Sequence, residues 1–211
     1  MPSYLVGLAS VLREIGLGPL EAAGLALAVV FLSLALSPLH VVVYTKRRRV
    51  YYPGFQILYV YGFPIPIPQI AYHEERARLA VNLGGAAIPL AFATFILSKL
   101  APSYALGAAL TALATSVFVY FLSRIVPGVG VVTPGFIPPL IALFLSLWAG
   151  RLTPAVAYVA GVYGTLLGAD VYNLRRILDQ MPPLASIGGA GVFDGVFLTG
   201  IMAAVLALIF R

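Results

Sequence analysis

The segment "VYYPGFQILYVYGFPIPIPQIAY", residues 50–72, determines how the rest of the chain is divided. It is as apolar as a membrane span, yet Pro and Gly alternate with aromatic residues along it. A helix does not tolerate Pro at every second position, whereas aromatic runs bounded by turn residues are typical of strands. The segment therefore predicts an extended or hairpin structure that lies at a membrane interface rather than across the bilayer.

The composition of the whole chain places it among membrane proteins. Of its 211 residues 61% are hydrophobic and only 9% charged, and the mean hydropathy is +1.01. Soluble domains carry roughly a quarter of charged residues. The length fits one domain, residues 1–211, of about six spans. The chain has no cysteine, which excludes disulfides, thiolate metal sites and a cysteine nucleophile.

We predict an all-α bundle of about six transmembrane helices, with the extended segment between the first and the second. The predicted spans are 18–44, 79–97, 104–122, 137–149, 154–174 and 187–210. Nine of the 13 Lys and Arg residues then fall in the loops after the first, third and fifth spans, and four on the other side. The positive-inside rule gives an N-out and C-out protein of the cell membrane. The net charge of +6 is explained by these loops, so we expect the lipid bilayer as partner and no nucleic acid.

Two acids, Asp170 and Asp194, lie inside apolar runs, where a carboxylate costs about 2.5–3.5 kcal/mol. Asp170 precedes Arg175 by five residues, and Asp194 follows the start of the last predicted span by seven. Both therefore lie at a similar depth, roughly 7–10 Å inside the cytoplasmic boundary, on helices joined by a short loop. The two carboxyls are predicted to form a pair that shares a proton, as required to activate water and protonate a carbonyl.

Other residues near this depth complete the predicted site. His40, Asn82 and Asn173 are expected to support the acids, and Gly191 and Gly195 to expose backbone to a bound extended chain. The glycines before Asp170 are expected to serve helix packing. With one His in the spans and no paired-ligand spacing, we predict neither a metal nor a cofactor.

The stretches "VYGTLLGADVYNL" (162–174) and "GGAGVFDGVFLTGIMAAVL" (188–206) together resemble the two catalytic spans of the intramembrane aspartyl proteases, presenilin and signal peptide peptidase. The resemblance implies that Asp170 and Asp194 are the catalytic acids and that transmembrane peptide segments are the substrates. That superfamily has a Pro-Ala-Leu motif after the second acid. Its role would pass here to an earlier stretch, Pro138, Pro139 and Leu140 or else Pro89–Leu90.

A second resemblance covers more of the chain. "VNLGGAAIPL" (81–90), "PGVGVVTPGFIPPL" (127–140) and "IGGAGVFDGVFLTG" (187–200) are similar to a prokaryotic membrane family of unknown function, which implies no activity. Two alternatives to the protease therefore stay open. The same acids suit a small proton- or cation-coupled transporter, and they also suit a non-catalytic membrane protein in which they join two helices.

Overall fold

The computed structural model describes residues 3–126, 130–180, 184–189 and 195–210. The protein is mostly helical. Among the described residues, three helical segments are long and apolar enough to cross a membrane: Pro19–Leu36, Pro102–Leu122 and Ile137–Val171. Two shorter apolar helical segments accompany them, Leu83–Lys99 and Gly195–Ile209. The composition of these helices supports membrane association.

Proline marks the start of most of the described helices. Five of them carry Pro at their first or second position, where the missing N–H would have no partner in the helix. The helices are α1 (Ser3–Glu14), α2 (Pro19–Leu36), α3 (Ile88–Lys99), α4 (Pro102–Leu122), α5 (Ile137–Ser146), α6 (Thr153–Thr165), α7 (Leu174–Gln180) and α8 (Gly195–Ile209). A 3-10 helix, Leu147–Leu152, joins α5 to α6, and π-helical turns occupy Leu83–Ala87 and Leu166–Val171.

The predicted hairpin between the first and second spans is confirmed, but it is far longer than the segment that predicted it. Strand β1 (His40–Val60) pairs with β2 (Phe63–Asn82) without interruption apart from one register shift between Val42 and Tyr44. The turn residues Tyr61 and Gly62 have φ of 50° and 86°. Positive φ at both central residues matches the right-handed twist of a hairpin. The fold is therefore mostly helical, as predicted, but it is not all-α, because it also contains strands.

The hairpin shortens the two spans predicted on either side of it. The first, 18–44, ends as a helix at Leu36, because Pro38 follows and β-branched residues 41–43 continue in β1. The second, 79–97, begins as strand through Asn82 and becomes α-helical only at Ile88.

The other predicted spans differ from the structure at their ends. The third, 104–122, falls within helix α4, whereas the α-helical parts of the fourth and fifth end early, at Ser146 and Thr165. The sixth, 187–210, is helical only from Gly195 among the described residues. Helix α1 was not predicted; its residues Leu8, Val11 and Leu12 are buried.

The chain reverses direction at Gly150, between α5 and α6. Gly150 has φ 57° and ψ −116°, a non-helical conformation that favours glycine. Pro138, at the start of α5, and Asp170, at the end of the π-turn after α6, line the same pocket. In one continuous helix these two residues would lie roughly 48 Å apart. Helices α5 and α6 are therefore antiparallel neighbours.

Strand β5 (Leu184–Ile187) brings three connections together at one end of the bundle. It pairs in parallel with residues 78–81 of β2, which gives the strand order β1-β2-β5. Leu79, Ile177 and Ala185 form a small core there, against which Val131 packs. Val131 belongs to β4 (Gly130–Val132), which pairs with β3 (Arg124–Val126). We call this end of the bundle the hairpin end.

Helix α6 is the centre of the bundle. Of its 13 residues all but Tyr163 are buried, and it packs against α4, α5 and α8. Close approach to α4 depends on glycine, because a Cβ at Gly164 would meet the side chain of Thr115 and a Cβ at Gly168 would meet the backbone oxygen of Ser116. The packing role expected for the glycines before Asp170 agrees with these contacts.

Gly168→Ala is expected to lower the free energy of unfolding by about 1–3 kcal/mol, because the added methyl meets backbone that cannot move aside. Thermal unfolding in detergent measures the loss. Gly24→Ala is the control, since Gly24 lies in α2 with nothing within 4 Å of an added Cβ. This variant should be as stable as the wild type or more stable. Equal unfolding temperatures for the two variants would contradict the close packing of α4 on the Gly168 backbone.

Candidate functional site

A pocket of about 310 Å³ opens at the hairpin end of α6. Its wall combines residues from β4 and the loop after it, the start of α5, the π-turn after α6, strand β5 and the start of α8. Most of these residues are apolar. Among the described residues that line the pocket, Asp170 is the only acid; the hydroxyls come from Thr133, Thr165, Ser186 and Thr199.

Asp170 lies in the π-turn Leu166–Val171, and its carboxyl group is held by backbone. Its Oδ2 accepts a hydrogen bond of 3.0 Å from the N–H of Gly188. The end of a helix leaves carbonyl oxygens without N–H partners. Here the side chain of Asn173 supplies the missing N–H partners, since its Nδ2 donates to the carbonyls of Gly168 and Ala169 at 3.2 and 3.1 Å. Asn173 thus stabilises the turn that carries Asp170.

The partner of Asp170 belongs to a glycine turn that only glycine can form. Gly188 and Gly189 have φ of 81° and 79°. At Gly188 a Cβ would also collide with Ala86. The carbonyl of Gly189 accepts a hydrogen bond from Nδ2 of Asn82 at 3.3 Å. Asp170 and Asn82 therefore hold the two sides of one backbone turn.

Asn82 is fully buried, and its side chain also forms hydrogen bonds with the backbone of two other segments. Its Nδ2 also donates to the carbonyl of Ser37 at 3.0 Å, and its Oδ1 accepts from the N–H of Gly85 at 2.8 Å. The amide thus connects the end of α2, the π-turn before α3 and the glycine turn. A buried amide with all these partners stabilises, whereas an unpaired one would cost about 1–3 kcal/mol.

His40 reaches the same segment from β1. Its Nδ1 lies 3.0 Å from Oγ of Ser186, which lines the pocket. Three of the polar residues selected from the sequence, His40, Asn82 and Asp170, therefore converge on residues 186–189, which we call the clamped segment. They come from β1, β2 and the π-turn after α6, and each binds a different residue of it.

The remaining residues of the predicted site are distributed unevenly. Asp194 and Gly191 lie outside the described residues. Gly195, the residue after Asp194 in the sequence, lines the pocket, and so does Pro138. Of the other described candidates, Pro139 is buried and Leu140 is 37% exposed, and neither belongs to the pocket wall. Pro89 and Leu90, in α3, are likewise not among the residues that line it.

Sequence reasoning missed Thr165 and Ser186. The Oγ1 of Thr165 is buried and has no hydrogen-bond partner among the described residues, although it borders the pocket. The available signal was a hydroxyl inside an apolar run one turn before the acid. For Ser186 no local signal existed, because its contact with His40 spans 146 residues. In the described part of the chain no three His, Cys, Asp or Glu residues come together.

A second cavity of about 350 Å³ lies between α1, α2 and α8 and is almost entirely apolar. Its wall includes Tyr4, Leu34 and Met202. Leu198, in the first turn of α8, lines both this cavity and the pocket of Asp170. One side chain therefore borders an apolar crevice on one side and the polar pocket on the other.

Residues 34–206 match the family model described as "Protein of unknown function (DUF1614)". The chain belongs to this family. The match covers the hairpin and every described residue that lines the pocket of Asp170. No curated protein and no solved structure matches the chain. Membership in DUF1614 therefore brings no activity, and the likeness to presenilin and signal peptide peptidase rests on the quoted residues alone.

Asn82→Ala should destabilise the protein by about 2 kcal/mol or more, because it removes the hydrogen bonds to Ser37, Gly85 and Gly189. Thermal unfolding in detergent measures the loss. Gln69→Ala removes the same amide group from an exposed position in β2 and should leave the unfolding temperature unchanged. If both variants unfold at the wild-type temperature, the buried amide does not hold the clamped segment.

Proposed function

We propose that the chain is a multi-pass protein of the cell membrane with about six spans and with its hairpin end in the cytoplasm. Six apolar helices, α2, α3, α4, α5, α6 and α8, are available for these spans. The hairpin, the β3–β4 connection and the α7–β5 connection all belong to one end, and this end carries nine of the 13 Lys and Arg residues. Such an asymmetry marks the cytoplasmic side.

We further propose that the protein is an intramembrane aspartyl protease-like protein that hydrolyses transmembrane peptide segments with Asp170 and Asp194. One observation carries the proposal. Asp170 lines a pocket whose wall also contains Gly195, the residue directly after Asp194 in the sequence. A carboxylate in an apolar segment is costly, so it is expected to have a function. Two carboxyl groups beside a pocket large enough for a peptide bond would have a chemical function, namely proton transfer to and from the bound amide.

The proposed reaction needs the two carboxyls in opposite protonation states. The ionised carboxyl takes a proton from a water molecule, whose oxygen attacks the carbonyl carbon of the scissile amide. The protonated carboxyl gives its proton to the carbonyl oxygen, so a tetrahedral diol forms. The carboxyl that gained the proton of water then gives it to the amide nitrogen while the other carboxylate takes a proton from the diol, so the C–N bond breaks, the carboxylic acid and the amine leave, and both carboxyls return to their starting states. The Gly188 N–H fixes the orientation of Asp170 and uses one of its two oxygens.

Substrate would enter from the lipid. The crevice between α1, α2 and α8 is apolar, as a surface that receives a transmembrane segment must be, and Leu198 separates it from the pocket. A peptide bond is accessible only where the substrate helix has unwound. The edge of β5 lines the pocket through Ala185, Ser186 and Ile187, and offers backbone groups to such an extended segment.

Asp170→Asn and Asp194→Asn should each reduce cleavage by about 10²–10⁴-fold, since each removes a proton-transfer group. The assay is cleavage of a panel of transmembrane peptides by the purified protein in liposomes. Asparagine at position 170 still offers an oxygen to the Gly188 N–H, so the variant should keep the wild-type unfolding temperature.

Glu74→Gln is the matched control for this experiment. Glu74 is an exposed acid in β2 and is not among the residues that line the pocket, so exchange of its carboxyl for an amide should leave cleavage intact. The protease proposal is wrong if the wild type cleaves nothing in the panel, or if either pocket variant cleaves like the wild type.

One observation favours the transporter as a second candidate. The hydroxyls of Tyr158 and Thr165 are buried and have no hydrogen-bond partner among the described residues. They lie seven residues apart, about two turns, on one face of α6, and Thr165 borders the pocket of Asp170. Such a row of hydroxyls suits a proton relay. Proton uptake by the same liposomes, lost in Asp170→Asn and without peptide cleavage, would favour this candidate over the protease.

A further inference from the structure

The distal part of the β1–β2 hairpin, residues 50–72, has no charged residue and exposes apolar side chains. We call it the hairpin tip. Tyr61 is 99% exposed, Phe55 77% and Phe63 74%. In the residues that the structure describes, strand β5 pairs with residues 78–81 of β2 and does not reach the tip. A two-stranded hairpin is marginally stable at best in water, and an exposed apolar surface of this extent marks an interaction site.

The outer edge of β2 in the tip is unable to accept another strand. Pro64, Pro66 and Pro68 pair with Tyr59, Ile57 and Phe55 of β1. Proline has no N–H to give to β1, so these three positions must turn their nitrogens to the outer edge. Three consecutive donors are thereby missing from that edge. This blocks strand addition and also lowers the cost of removing the edge from water.

The base of the hairpin is basic, and three of its arginines share one face. Arg47 lies directly opposite Arg76 in the register, and Arg78 follows two residues later on the same face. All three side chains are exposed. Two like charges directly across a strand pair are unfavourable unless an anion binds between them. A pair of guanidinium groups on one face fits a phosphate group.

The same face continues into the tip with aromatic residues. Successive side chains of a strand point to opposite faces. Tyr51, Phe55 and Tyr59 follow Arg47 by even numbers of residues, so they share its face, and they are 65–77% exposed. The opposite face is mainly aliphatic, with Leu58, Val60, Ile65 and Ile67 38–48% exposed, and carries one aromatic residue, Phe63, beside the turn at 74%. One face of the ribbon thus presents basic residues at the base and Tyr and Phe farther out. Tyr is enriched where membranes meet water.

We propose that this face of the hairpin lies in the headgroup layer of a membrane that contains anionic lipid. The arginines bind lipid phosphates, and Tyr51, Phe55 and Tyr59 insert at the boundary between headgroups and acyl chains. In the described part of the chain no strand pairs with the outer edge of β1, and its free backbone groups keep the ribbon out of the hydrocarbon core. A second copy is a poorer occupant, because residues 40–82 carry six basic and two acidic residues and would repel their like.

The absence of cysteine makes the proposal testable in the full chain, because any introduced cysteine is unique. Phe55→Cys, Tyr59→Cys, Leu58→Cys and Val60→Cys are each labelled with an environment-sensitive fluorophore. The proteins are placed, one per disc, in nanodiscs of phosphatidylcholine with or without phosphatidylglycerol. Lipids spin-labelled in the headgroup region quench the fluorophore on contact.

We expect stronger quenching at positions 55 and 59 than at 58 and 60, and stronger quenching in discs that contain phosphatidylglycerol. The triple variant Arg47→Gln/Arg76→Gln/Arg78→Gln should weaken the association of the hairpin with the lipid headgroups about five-fold for each arginine removed. The control is Arg124→Gln/Arg175→Gln/Arg176→Gln, which removes the same charge from the same end of the bundle and should leave quenching unchanged. Unfolding temperatures verify that both triple variants are folded.

Several outcomes would overturn the proposal. Quenching that is equal at all four positions would show that this face does not lie on the membrane. Quenching that is independent of anionic lipid would show that the arginines do not bind lipid phosphates. Absence of quenching would mean that water or a protein covers the tip. Energy transfer between labelled copies in discs with two proteins, without lipid quenching, would assign the tip to a second copy.

Discussion

The hydrogen bond from the Gly188 N–H to the carboxyl of Asp170 is the contact on which the organisation of the hairpin end depends. It joins the end of the central helix to a segment that has left the helices. In a membrane a carboxyl group and a turn of free backbone are both costly, and each here satisfies the other. Asn82 binds the backbone on the other side of the turn, and His40 contacts the side chain of Ser186. The clamped segment is therefore fixed from three sides directly before the stretch that leads to Asp194.

The packing of α6 serves the same end. Glycines at 164 and 168 let α4 approach the backbone of α6 and its π-turn, which holds the π-turn against a rigid neighbour. Asn173 then binds the carbonyls that the end of the turn leaves free. A widened helical turn that exposes backbone needs both devices in an apolar surrounding. The position of Asp170 is thus set by helix packing on one side and by hydrogen bonds on the other.

Local patterns allowed only part of this to be predicted. Alternating prolines at 64, 66 and 68 predicted the hairpin tip, and the apolar runs predicted the helices. The hairpin base was assigned to helices because residues 40–44 and 79–82 are as apolar as the spans beside them, so composition carries no boundary there. The depth estimate selected His40, Asn82, Asn173 and Asp170, whose hydrogen bonds lie in one region of the structure. The partners of His40 and Asn82 were beyond reach, because the clamped segment meets these two residues through the parallel pairing of β5 with β2, a contact across about a hundred residues.

The most direct test of the account is whether Asp170 and Asp194 face each other across the pocket. The double variant Asp170→Cys/Asp194→Cys, in a chain with no other cysteine, is oxidised in native membranes and analysed for an intramolecular disulfide or a short thiol cross-link. His40→Cys/Ser186→Cys is the positive control, because these side chains are in contact, and Asp170→Cys/Arg151→Cys joins opposite ends of α6 as the negative control. A disulfide requires Cα atoms within about 7 Å. We predict a cross-link between positions 170 and 194 at a rate close to that of the positive control. A 170/194 pair that stays reduced, and as inert to the short cross-linker as the negative control, would contradict the carboxylate pair.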